Sequence, residues 1–84
     1  SALHYAARRG WTGLVTALLK KGASPHQIDN EGNTPLHEAS LSENEATIRE
    51  LLAYGADPLA LNAAGDTPPS LSKSWPSLPY FGGS

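Results

Sequence analysis

The stretch Gly32-Asn-Thr-Pro-Leu-His-Glu-Ala39, with Leu51-Leu-Ala-Tyr-Gly-Ala-Asp57 behind it, decides how this chain folds. Thr34 is placed to cap a helix, its hydroxyl accepting an amide hydrogen bond from the first turn. Pro35 then falls at the first helical position, where its missing N–H costs nothing. Leu36, Ala39 and Ser40 give a narrow face of small residues, so this helix packs closely against a neighbour. Ser42-Glu43-Asn44 breaks it. A second helix is expected from about Glu45 to Tyr54, with Ile48, Leu51 and Leu52 at i, i+3 and i+4 forming an apolar stripe. Gly55 supplies a left-handed cap. Upstream, Asp29 to Gly32 reads as a tight turn, because glycine tolerates positive φ.

Working outward, the same plan recurs. Ser1-Ala-Leu-His4 returns as Thr34-Pro-Leu-His37, Leu18-Leu19 as Leu51-Leu52, Gly22-Ala23 as Gly55-Ala56, Gly32 as Gly65, and Thr34 as Thr67. Every offset is 33 residues. In the first unit Leu3, Ala6 and Ala7 share one helix and Leu14, Val15, Leu18 and Leu19 the next. A fixed period of this length is the signature of a repeat array, in which stacked units bury one continuous core. Four helices are predicted, near residues 2–9, 12–20, 35–42 and 45–53, with Leu18, Leu19, Ile48, Leu51 and Leu52 as the core between units.

These motifs resemble the ankyrin repeat, and the resemblance covers residues 1 to about 68. It implies an all-α solenoid of stacked antiparallel helix pairs with β-turn loops projecting sideways. Three segments follow: residues 1–28, a first repeat without its leading turn; 29–61, a second; and 62–84, a truncated third with a Pro- and aromatic-rich tail. Glu43 stands where a glycine is usual between the helices, as Gly10 does in the first unit. The third unit opens with Gly65-Asp-Thr-Pro68 and then departs, with Pro69, Ser70 and Ser72 in place of leucine, histidine and alanine.

The bulk properties narrow the function. At 84 residues the chain holds one small domain. There is no cysteine, which fits a cytoplasmic or nuclear setting, and no apolar run approaches the ~18 residues of a membrane span. Methionine is absent even at position 1, so the chain is expected to start inside a longer product. A net charge of −2 implies neither nucleic acid nor membrane as a target. The charges are nonetheless unevenly spread. Arg8, Arg9, Lys20 and Lys21 stand unopposed in residues 1–28. Asp29, Glu31, Glu38, Glu43, Glu45, Glu50 and Asp57 face a single Arg49 in residues 29–61. That contrast orients a partner electrostatically, or is a pair of solvated helix faces.

No nucleophile is paired with a base, no phosphate-binding loop precedes a helix, and the acids recur on surfaces rather than flanking a cleft. No catalytic residue, cofactor, metal or small-molecule substrate is expected. His4 and His37 would need further ligands to hold a metal; each imidazole is expected instead to bond the turn of its own segment. His26 reads as a solvated loop residue, with hydroxylation a minor alternative suggested by the resemblance.

The resemblance implies partner contacts from the turn tips and the exposed side of each first helix. In this sequence those positions are Tyr5, Arg8 and Arg9; Asn30, Glu31, Asn33, Glu38, Leu41 and Ser42; and Ala63, Ala64 and Asp66, with Lys21 and Tyr54 nearby. Trp11 is expected to pack against the neighbouring unit, with a partner contact as the alternative. The function read from this is a non-catalytic protein-interaction module or scaffold, contacting another protein or the rest of its own chain. The alternatives are a fixed appendage of a larger assembly, or a regulatory segment of an enzyme whose catalytic domain lies elsewhere. The tail, with Leu71, Trp75, Leu78, Tyr80 and Phe81, is expected to cover the outer face of the last helix pair, or else to be a binding motif or foreign sequence.

Overall fold

The computed structural model describes residues 1–73. Four helices follow in order: α1 (Ala2–Arg9), α2 (Thr12–Lys20), α3 (Pro35–Leu41) and α4 (Glu45–Ala53). A 3₁₀ turn, Pro68–Leu71, completes the described chain. Among the described residues there is no strand. The arrangement is the expected all-α stack of helix pairs: α1 packs on α3, α2 on α4, and the 3₁₀ turn on α3.

Local chemistry sets each boundary. The Ser1 and Thr34 hydroxyls accept the amide protons of His4 and His37, capping α1 and α3, and Asn44 does the same for Thr47 at the head of α4. α4 stops in a Schellman motif, in which Gly55 N–H bonds the Leu52 carbonyl and Ala56 N–H the Leu51 carbonyl, both at 3.0 Å. Gly22 and Ala23 close α2 in the same way. Between α3 and α4, Glu43 takes the left-handed backbone that Gly10 takes between α1 and α2, with φ of 58° against 75°. Its carboxylate then accepts the Ser72 hydroxyl at 3.3 Å and the Lys73 amide at 3.0 Å, tying the end of the described chain to the helix corner.

The core is one cluster of Leu3, Ala6, Ala7, Val15, Leu19, Leu36, Ala39, Ile48, Leu51, Leu52 and Ala56. Leu18 is packed against it but only partly buried, a correction to its place in the expected core. A polar seam runs alongside. Thr12 and Thr47 share a 2.8 Å hydroxyl contact, and the Thr16 hydroxyl donates to Glu50 at 2.7 Å. The expected covering role of Trp75, Leu78, Tyr80 and Phe81 lies outside the described residues.

The two histidines bond their own segments as expected and reach further as well. Each Nδ1 does face its own helix cap: His37 Nδ1 accepts the Thr34 amide at 3.1 Å. Each Nε2, however, reaches the next unit, at 2.7 Å from the Asn33 carbonyl for His4 and 2.8 Å from the Asp66 carbonyl for His37. A backbone N–H only donates and a carbonyl only accepts, so His37 carries its proton on Nε2.

Candidate partner-binding surface

The turn tips are built by side chains acting on their own backbone. Asp29 Oδ1 accepts the amides of Glu31 (2.9 Å) and Asn33 (3.0 Å), and Asn62 Oδ1 those of Ala64 (3.0 Å) and Asp66 (2.9 Å). The two tips are then joined. Ala63 N–H donates to the Glu31 carbonyl at 2.9 Å, and the Asn62 amide to Asn33 Oδ1 at 2.8 Å. Gly32 makes that approach feasible: a Cβ there would lie 2.7 Å from Ala63 N.

Eight of the twelve expected contact residues line two depressions. The first, about 220 Å³, lies between α1, α3 and the turn, and is lined by Ser1, His4, Tyr5, Arg8, Asp29 and Glu38. The second, about 500 Å³, lies on the turn tips and is lined by Asn30, Glu31, Asn33, Asn62, Ala63 and Ala64. Arg9, Leu41 and Ser42 are exposed, as are Lys21 and Tyr54, and Asp66 is half-buried.

Two of the twelve positions are not outward-facing. Asn33 is 6% exposed because its side chain is spent on Asn62. Glu38 is 4% exposed because α1 covers it. Trp11 stays 49% exposed and meets Tyr5 of its own unit edge-to-face, ring centroids 5.5 Å apart. The Arg9 guanidinium lies 5.2 Å from the other partner of that pair, the Tyr5 ring. Asp29, Asn62 and His4 were missed as surface builders, although Asp29 and Asn62 stand at the repeat offset.

Electrostatics within the first depression are unequal. The Arg8 Nε atom lies 3.2 Å from Glu38 Oε1, yet its N–H is not aimed at that oxygen, which receives no directed hydrogen bond. Burial pushes the Glu38 carboxyl above its usual value; Arg8 opposes this, while Asp29 reinforces it by its charge and by the hydrogen bond it accepts from the protonated Glu38 carboxyl. Asp29 is held below its usual value: burial pushes it up, but the Asn33 and Glu31 amides outweigh that. Elsewhere in the acidic middle, Arg49 lies 2.6 Å from Glu45, an exposed pair one helical turn apart. Among the described residues no cluster of His, Asp or Glu has the makings of a metal site, and no helix is long and apolar enough to cross a membrane.

Comparison with known proteins agrees with this architecture. Residues 1–62 match the model for ankyrin repeats in three copies. The chain is 40% identical over 74 residues to human BCL-6 corepressor-like protein 1, covering 88% of this chain and 4% of that protein. It is 42% identical over 74 residues to the Caenorhabditis elegans ankyrin repeat and LEM domain-containing protein 1 homolog, covering 84% and 10%. It is also 42% identical over 71 residues to human protein phosphatase 1 regulatory subunit 27, covering 84% and 46%. The chain thus spans less than half the length of these relatives. With its 33-residue period, capped helix pairs and linked turns, the chain belongs to the ankyrin-repeat family.

Proposed function

We propose that this chain is a non-catalytic protein-binding module whose partner lies across the turn tips and first helices. Repeats of this family generally mediate protein–protein contact, and one relative is named as a phosphatase regulatory subunit. The observation that carries the reading is the asymmetry of the two sides. The loop side holds both depressions together with exposed Tyr5, Trp11, Arg9 and Leu41, aromatic and Arg anchors of the kind that dominate interfaces. The test is site-specific photo-crosslinking in the full-length protein in cells, comparing a benzophenone side chain at Tyr5 with one at exposed Ala53 on α4. Adducts from Tyr5 and none from Ala53 are expected; adducts from Ala53 alone would overturn the assignment.

A second reading, a segment fixed within a larger assembly, is favoured by Ile28, Leu59 and Leu61, three exposed apolar side chains in the inter-unit loops. It requires the isolated chain to be unfolded or self-associated, and a folded monomer in sedimentation excludes it.

A further inference from the structure

The first depression pairs two carboxyl groups, from Asp29 on the turn and Glu38 on α3, with one arginine. The Glu38 side chain is nine-tenths buried and lines the depression, and its Oε1 is without a directed hydrogen bond. A buried acceptor in that condition is costly, more so when charged. The Arg8 side chain is 69% exposed and approaches only through an off-line Nε. The Asp29 Oδ1 atom is occupied by two amides of its own turn. The depression sets two acids against the loosely seated Arg8 and the His4 imidazole, whose ring nitrogens are engaged by Ser1 and the Asn33 carbonyl, with the Tyr5 ring alongside.

We propose that this depression receives an arginine side chain of the partner, which displaces Arg8 and bonds the Glu38 and Asp29 carboxyl groups. The proposal rests on reading the loop side as the interface, and it names what that surface recognises. A guanidinium is favoured over an ammonium because its planar fork bridges two carboxylates with parallel N–H bonds. Phosphate or carboxylate ligands are disfavoured by the acids beneath. Displaced Arg8 joins Arg9 on the rim, so an acidic residue next to the incoming arginine completes the exchange of partners. The recognised element is thus a basic side chain flanked by an acidic one, which suits a surface where Arg8 and Arg9 of α1 stand beside Glu38 of α3 and Asp29 of the turn.

The experiment uses the intact chain and two capped tripeptides, Gly-Arg-Gly and the uncharged Gly-citrulline-Gly, with binding read from the Tyr5 ring protons by NMR. The arginine peptide is expected to give saturable shifts and the citrulline peptide none. Glu38→Gln removes a buried charge without changing volume and should weaken binding about tenfold. Arg8→Gln removes the resident competitor and should strengthen it. Equal shifts from both peptides, no shift at tens of millimolar arginine peptide, or indifference to either substitution would overturn the proposal. Loss of the peptide signal while crosslinks still leave Tyr5 removes the arginine pocket and leaves the interface standing. Crosslinks from Ala53 alone remove both.

Discussion

His37 Nε2 donates a 2.8 Å hydrogen bond to the backbone carbonyl of Asp66, one unit further along the chain. The same imidazole accepts the Thr34 amide through Nδ1, so a single buried ring closes one helix and fixes the next turn. Replacing it leaves the Asp66 carbonyl and the Thr34 amide without partners. His37→Ala is expected to cost about 1–3 kcal/mol, read as a lower urea midpoint, and chelators should leave that midpoint unchanged. A stoichiometric metal retained through dialysis would contradict a purely hydrogen-bonding role.

Leu51 is fully buried where α4 meets the rest of the core. Leu51→Ala should cost about 2–5 kcal/mol through lost contacts and the cavity left behind. In a chain of two helix pairs that loss rivals the whole stability, so circular dichroism in water should already show reduced helicity. A variant that melts like the parent would place Leu51 outside the core.

Glu43 holds a left-handed backbone, which costs a residue with a Cβ roughly 1–2 kcal/mol relative to glycine. Its carboxylate also holds Ser72 and Lys73. Glu43→Gly should separate the two effects. The helices are expected to melt later, while the Lys73 amide exchanges faster with solvent. Unchanged exchange at Lys73 would show that the carboxylate does not anchor the chain there.

Acid titration should show two opposing arms. Glu38 is raised above 4.5, so the folded state binds its proton more tightly than the unfolded chain, and stability rises as pH falls through the folded value. Asp29 is lowered below 3.8, so its contribution is full above that value and is lost as pH falls through the folded one. Urea midpoints between neutral pH and pH 3 are expected to pass through a shallow maximum. Glu38→Gln should remove the rising arm and keep the falling one.

Arg9 touches the Tyr5 ring and is exposed, whereas Arg8 is tied to Glu38. Reversing charge at Arg8 would place a third acid beside Asp29 and Glu38, so Arg9→Glu is the cleaner probe of the basic rim. It should slow association with the partner at low salt while leaving helicity intact. Unchanged association rates would exclude Arg9 from the encounter surface.

The helix boundaries were legible because each is set by residues within a few positions: Thr34 and Pro35 start α3, and Gly55 ends α4. The exposure of Asn33 and Glu38 was not, because it depends on what the neighbouring unit supplies. An asparagine in a turn and a glutamate on a helix are ordinarily solvated, and only the approach of Asn62 and of α1 buries them. The Trp11 contact was missed for a related reason. Gly10 turns the chain so that residue 11 falls back on Tyr5 of the preceding helix, a distance no spacing rule encodes. The reach of the imidazoles across units is likewise invisible one unit at a time, although His4 and His37 recur at the period of the turns they bind.

Both imidazole links span 29 residues, and both end on a turn rather than on a helix. A following unit therefore needs to contribute only its opening residues to complete the one before it. Here Asn62, Ala63 and Asp66 do so before the helical pattern fails. Such an array can be lengthened or shortened by whole 33-residue steps at any phase without stranding a donor.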